Sequence, residues 1–315
     1  EEQGKISLDT KLKQLIPLAQ DSNKADITLK EMLSHYARLQ AWIPFYTATL
    51  SKDGTHASPK YFRSEKTDIF NVPVSEKFYM RKDIQDSMYQ KIIDSDLLTR
   101  KEYKYSDLPY YLLKKSLEHY YAASLHTLTQ NHLYESLGAN YMGYLPLRKF
   151  NINEIAPSEV DDYWRFNTIQ GTVHDQGAAM FGGIGGHAGI FSNANDVAKM
   201  MQMYLNKGSY GGIQYFKPET IDKFNTCYYC EDKVRRGVGF DKPQLEKVGP
   251  TCGCVSMTSF GHSGFTGTFA WADPEEEIVY IFLSNRTFPF ASNRKLISHD
   301  IRTKIQKLIY ESIMY

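Results

Sequence analysis

The sequence predicts an α+β fold: a mostly helical lobe over residues 1–235, then an antiparallel sheet and a closing helix over 236–315. Two observations carry that expectation. Before residue 236, apolar residues recur three and four positions apart, as on one-sided helices. After it they gather in short β-branched and aromatic runs separated by turn residues, as in strands. A chain of 315 residues with 42% hydrophobic content is long enough to enclose both parts as one domain.

The first helix begins at Thr28, because Thr28 and Glu31 stand at capping-box spacing ahead of Leu29, Met32 and Leu33. Residues 40–104 are aromatic and charged without a clear period, and are expected to form a long, partly helical excursion facing the substrate. Pro109 suits a first helical turn, and Leu113, Leu117 and Tyr121 follow as an apolar stripe. The glycines of 181–189 allow tight turns. Another helix is expected over 195–206, with Val197, Met200, Met201 and Tyr204 on one face and Lys207-Gly208 closing it. Strands are expected at 238–240, 258–264, 268–272 and 278–284, the last two joined as a hairpin at Asp273-Pro274. The run 278–283 does not alternate, which suits a central strand covered on both faces. A helix from about Ser292 would cover the sheet with Ile297, Ile301, Ile305 and Leu308.

A formal net charge of +1 without long like-charge blocks argues against a nucleic-acid surface or a polybasic membrane patch, and points to small molecules or uncharged polymers as partners. The longest strongly apolar run, 278–283, is too short to span a bilayer. Glu1-Glu2-Gln3-Gly4 reads as the end of a helix with Gly4 in the left-handed position, so further chain is expected upstream, and the first residues say nothing about compartment.

Nucleophilic catalysis by serine needs an activating neighbour. The one Ser-x-x-Lys string, Ser292 to Lys295, stands where an ordinary N-cap and a surface lysine are expected. Gly261-His262-Ser263-Gly264-Phe265-Thr266-Gly267-Thr268 combines small residues, against which a substrate backbone can lie, with a histidine and hydroxyls; a hairpin with glycine bulges reads the same way. Tyr105-Ser106-Asp107 allows two readings as well. Its tyrosine can relay protons if cations lower its pKa, and its serine or aspartate can cap the helix at Pro109. Cys227-Tyr228-Tyr229-Cys230 and Cys252-Gly253-Cys254 could form disulfides, hold zinc, or stay as buried thiols.

Taken in order, these strings resemble the serine β-lactamase and penicillin-binding-protein superfamily, in its class C β-lactamase and esterase branch. Tyr105-Ser106-Asp107 is similar to the second motif, Tyr-x-Asn, with Asp in place of Asn, and His262-Ser263-Gly264 to the histidine form of the third. The resemblance extends through Ile27 to His35, Gly189 to Asp196, Asp273-Pro274 and Ser284-Asn285-Arg286. Val173-His174-Asp175, Gly186-His187-Ala188-Gly189 and the run from Gly261 to Thr268 look like β-lactamase-type domains that Bacteroidetes often carry fused behind a family 3 glycoside hydrolase.

The resemblance implies a β-lactamase/transpeptidase-like single domain over 1–315, lacking an N-terminal segment that holds the Ser-x-x-Lys, without cofactor or metal. It implies hydrolysis through an acyl-enzyme of an ester, a peptidoglycan-type peptide or a β-lactam, by an exported, periplasmic parent protein with an upstream signal peptide. Tyr105 would exchange protons with the absent serine, Asp107 would hold substrate or the absent lysine, and His262 would supply charge, with its pKa raised by a carboxylate such as Asp107. Ser263, Gly264 and Phe265 would align the substrate, with the Phe265 N–H in the oxyanion hole. His187 would lie at the cleft rim as a substrate contact, or would fix the glycine loop; His174 and Asp175 would form a structural pair. A periplasmic home favours disulfides over zinc. The rival reading is a non-catalytic wall-binding or scaffold domain that keeps the cleft.

Overall fold

A computed structural model describes residues 1–244 and 249–313. Its architecture is α+β, with antiparallel sheets among helices. The C-terminal sheet has three strands: Phe260–Ser263 pairs with Phe269–Asp273, which pairs with Ile278–Phe282, all antiparallel. The expected hairpin is therefore present, with Ile278 opposite Asp273.

The non-alternating 278–283 run is covered on both faces, as expected. Val279 and Ile281 pack with Met201 and Phe260 beneath the Ala194–Leu205 helix, while Tyr280 joins Phe269, Trp271, Ile305 and Ile309 on the other side. The strand is not central, however; it forms one edge of this sheet. Residues 238–240 form no strand, and only isolated bridges tie Asp241 to Arg236 and to Gly261.

The closing helix differs from the expected stripe. A short turn of helix, Lys295–Ser298, precedes Ile301–Ile313, and Asp300 between them has φ +52°. The side chains that lock the helix down are Gln306, which accepts from the Cys252 N–H at 2.9 Å, and Tyr310, which donates to Asp273 at 2.6 Å. Ile297, Ile301 and Leu308 are exposed, because the face that meets the sheet is set by Ile305, Ile309 and Tyr310 instead.

The long excursion contains a sheet that the sequence did not reveal: Phe62–Arg63, Phe70–Ser75 and Phe78–Arg81, followed by the Ile84–Asp94 helix. Its strands are short and irregular in register, and one carries Pro73, so no clean two-residue period survives in the sequence. The Leu108–Tyr121 helix begins where Pro109 places it, but it buries Leu108, Tyr111 and Leu112 rather than Leu117 and Tyr121, which are exposed. Those buried residues join Val72, Val74, Met80, Met88 and Ile92 in the largest core cluster. That core fixes the start of the helix, and with it Tyr105 to Asp107, against the end of the C-terminal sheet.

Thr28 accepts from the Glu31 N–H and Glu31 returns to Thr28, closing the expected capping box over Leu29–Leu33. Gly4 has φ +68°, in the left-handed conformation its position predicts. The cysteines are paired as Cys227–Cys230 and Cys252–Cys254, and the described residues hold no metal-like cluster of His, Cys, Asp and Glu.

Candidate active site

Ser106, not Asp107, does the work of a cap. Its Oγ accepts from the Leu108 N–H at 3.2 Å and donates to the Gln40 carbonyl at 2.6 Å, while its own N–H donates to His35 Nδ1 at 3.1 Å. The Asp107 N–H donates to the Ala41 carbonyl at 2.9 Å. With the helix start held by Ser106, the Asp107 side chain makes no capping bond and is free for the cleft.

Tyr105 turns its ring toward His262, 5.8 Å between centroids, and lies on His35 at 4.5 Å. The structure thus brings together residues 157 positions apart in sequence. Burial, then the Asp107 carboxylate, pushes the Tyr105 phenol above its ordinary value of 10.0, and Arg236 opposes that shift without reversing it. The expectation that cations lower this phenol is therefore not met.

His262 departs from expectation too. Its Nδ1 contacts the Ser263 carbonyl at 2.8 Å, which assigns the proton to Nδ1, and Nε2 faces Arg236 Nη1 at 3.4 Å. Burial and the Arg236 charge both lower its pKa, and the carboxylate acting against them is Asp241, not Asp107. The imidazole is held neutral near pH 7, and the fixed positive charge beside it belongs to Arg236.

Arg236 was not singled out from the sequence. It is 1% exposed, donates to Asp241 at 2.6 Å and to the Gly239 carbonyl at 2.9 Å, and lies 5.7 Å from the Tyr105 ring. Burial opposes its charge, but Asp241 outweighs burial and holds the Arg236 pKa above its ordinary value. His35, 2% exposed, completes this cluster; burial, Arg236 and His262 hold its pKa down to about 2, so it stays neutral and accepts from Ser106. Arg235-Arg236 followed by Asp241, just ahead of the strand texture, is the signal that could have marked the ion pair.

The hairpin turn depends on its glycines. A Cβ at Gly261 would lie 2.2 Å from the Ala270 carbonyl oxygen, and one at Gly264 would lie 2.2 Å from Thr268 Oγ1. The Gly264 N–H donates to the Thr268 carbonyl at 2.8 Å. Ser263 is half-buried at the strand end. Phe265 is 65% exposed, its ring held between the Arg286 guanidinium at 4.7 Å and the His174 ring at 5.6 Å.

His187 sits below the open cleft. Its side chain is 2% exposed, bonds through Nε2 to Asp175 at 2.8 Å and stacks on Tyr111 at 4.2 Å. Burial therefore speaks against a rim contact, and the bond that fixes His187 runs to a carboxylate rather than to backbone. His174 and Asp175 are not paired with each other: His174 bonds Glu159 at 2.8 Å, while Asp175 serves His187 and the Ala178 N–H. Ser292 and Lys295 are exposed and make no mutual bond among the described residues.

An α+β fold with a tyrosine motif at a helix start facing a histidine motif on an antiparallel strand defines a β-lactamase and transpeptidase class of protein. Residues 1–301 match the family model described as Beta-lactamase, and the chain belongs to that family. Curated relatives include proteins named as D-alanyl-D-alanine carboxypeptidases, from Escherichia coli K12 (34% identical, covering 58% of this chain and 44% of that one) and Salmonella enteritidis PT4 (33%, 61% and 47%). The chain spans about half the length of the curated relatives it matches. Among solved structures it is similar to EstCE1, a hydrolase with promiscuous acyltransferase activity (TM-score 0.62, 17% identical, 98% of this chain and 79% of that one), and to a penicillin-binding-protein homolog from Caulobacter crescentus (0.56, 16%, 90% and 72%). At such identities the likeness shows the fold alone. No helix among the described residues is long and apolar enough to cross a membrane.

Proposed function

We propose that this chain is most of the acyl-transfer domain of a serine hydrolase whose nucleophilic serine and its lysine lie in a segment outside the chain. The substrate is a peptidoglycan-type peptide or an ester, in preference to a β-lactam. The serine attacks the substrate carbonyl, Tyr105 passes its proton to the leaving group, and water then releases the acyl group. Phe265 N–H, which has no acceptor among the described residues, would donate to the oxyanion. In this reading Ser263 and Gly264 align the substrate, and Arg236 supplies the positive field beside neutral His262. The observation that supports it best is the approach of Tyr105 to His262 at 5.8 Å.

A phenol held above its ordinary pKa needs a base to take its proton. In this mechanism that base is the absent lysine. The same observation favours the second reading, a wall-binding domain that keeps the cleft without turnover. The parent protein is proposed to be exported to the periplasm, and a glycoside hydrolase domain upstream rests only on the resemblance carried by residues 173–175, 186–189 and 261–268.

Labelling by a fluorescent fluorophosphonate and a fluorescent penicillin tests this. The full-length parent is expected to label at a serine upstream of Glu1, and the chain described here is expected to stay unlabelled. Labelling of this chain at any serine, or a parent gene without Ser-x-x-Lys upstream, would sink the hydrolase mechanism as written.

A further inference from the structure

The hairpin turn from Gly264 to Thr268 is pinned along most of its backbone. The Gly264 N–H donates to the Thr268 carbonyl at 2.8 Å, and the Gly267 N–H to the Gly264 carbonyl at 3.1 Å. The Thr266 carbonyl accepts from the Arg286 N–H at 2.9 Å, the Gly267 carbonyl from Ser284 Oγ at 2.9 Å, and the Thr268 carbonyl from Arg302 at 3.0 Å. Phe265 is the exception: among the described residues neither its N–H nor its carbonyl is bonded. Its ring is largely exposed, so burial does not hold it either. What the ring does touch is the Arg286 guanidinium at 4.7 Å and the stacked His174 ring at 5.6 Å.

Both contacts are themselves fixed. Arg286 Nη1 donates to the Ala291 carbonyl at 3.2 Å and the Asn293 carbonyl at 2.8 Å, which holds one end of its flat guanidinium. His174 Nε2 bonds Glu159 at 2.8 Å, and Glu159 opens the strand Glu159–Asp161, paired with Asn167–Ile169. That strand and the two residues before it are strapped to the segment around Arg286 by three bonds. Asn285 Nδ2 donates to the Pro157 carbonyl at 2.9 Å, Thr287 Oγ1 to the Ser158 carbonyl at 2.6 Å, and the Val160 N–H to the Pro289 carbonyl at 2.8 Å. Arg286 and His174 therefore belong to one frame, joined without any help from Phe265.

We propose that Arg286 and His174 are positioning residues: by holding the Phe265 ring they fix the direction of the Phe265 N–H, the donor assigned above to the oxyanion. The guanidinium attracts the ring through its quadrupole, and the imidazole adds a stacking contact. A donor stabilises an oxyanion well only when it is aimed before charge develops, and a freely turning peptide at 265 would forfeit that effect. An aromatic side chain at 265 is thereby explained although it buries little, and Arg286 acts on the cleft through that ring. The catalytic consequence rests on the hydrolase reading above; the ordering of Phe265 by its ring does not.

The test has two arms. In this chain, amide relaxation followed by NMR should give Phe265 an order parameter of about 0.85, as rigid backbone has, and Phe265→Leu or Arg286→Gln should bring it below about 0.6. His174→Gln, which keeps a donor for Glu159 and loses the ring, should lower it less. In the full-length parent hydrolysing a p-nitrophenyl ester, Phe265→Leu should lower kcat about tenfold with KM within about twofold, short of the roughly 10²–10³ expected when an oxyanion donor is removed outright. Phe265→Tyr keeps the ring and should recover most of that loss, with the fold of each variant checked by circular dichroism. Unchanged order at residue 265 in Phe265→Leu would overturn the clamp, and lost order with unchanged kcat would overturn its positioning role. Neither result touches serine labelling of the parent. A parent that neither labels nor hydrolyses the ester sinks the hydrolase reading and the positioning role with it, while the relaxation arm still decides the clamp.

Discussion

On the His262 side of the cleft, Arg236 is buried with its counter-charge: Asp241 lies 2.6 Å away, the Gly239 carbonyl takes a second N–H, and a neutral imidazole faces the guanidinium. On the Tyr105 side, Asp107 is half-buried with a phenol for company and no cationic partner of that kind, while its neighbour Asp175 has His187. Both sides place a charge where water is scarce. The first neutralises its charge inside the protein and is built to stay fixed; the second holds a charge whose partner is not among the described residues, which costs stability. The pKa shifts express the same contrast: burial raises that of Asp107 to about 6, whereas at Arg236 the Asp241 charge outweighs burial and keeps the guanidinium charged.

The largest effect expected from breaking this contrast is at Arg236. Arg236→Met leaves buried Asp241 with Arg235 alone, 3.0 Å away and more exposed, and should cost about 2–4 kcal/mol of unfolding free energy in urea titrations, less than a pair broken outright. It also removes the charge that depresses His262, so the His262 pKa, followed by NMR, should move upward. A loss below about 1 kcal/mol would mean that the ion pair is not the fixed side of the cleft.

A smaller loss is expected from Gly261→Ala. The added methyl meets the Ala270 carbonyl oxygen at 2.2 Å, a backbone atom held in the sheet register. Pushing the strands apart should cost about 1–3 kcal/mol. The disturbance should reach the His262 resonances and spare those of Asp107; a shift confined to Asp107 would contradict the division into two sides.

Much of this was legible beforehand. The capping box at Thr28, the helix start at Pro109 and the hairpin at Asp273-Pro274 are local signals whose chemistry needs no distant partner. Tyr105, Asp107 and His262 stand out in the sequence because their motifs are short and their order informative, and the fold brings Tyr105 and His262 together. Arg236 was missed for a physical reason: it matters through His262, far away in sequence. The His262 charge state was misjudged likewise, since sequence order supplied Asp107 as its neighbour and the fold supplies Asp241 and Arg236. The sheet of residues 62–81 was missed because strands of two to six residues with shifted register carry too little periodicity.

The smallest expected effect is a gain. Asp107 has a folded pKa of about 6 against an ordinary 3.8, chiefly from burial and then from Asp175, so between those values the folded state binds the proton more tightly than the unfolded chain. Stability from this group is present below pH 3.8 and declines as pH rises to about 6; at pH 7 the ionised carboxylate is a net cost. Asp107→Asn removes that cost, and should raise unfolding free energy at pH 7 by about 1–2 kcal/mol, reduced for solvent reaching a half-buried group. At pH 4 wild type and variant should differ little. A gain that is equal at both pH values would trace to packing instead.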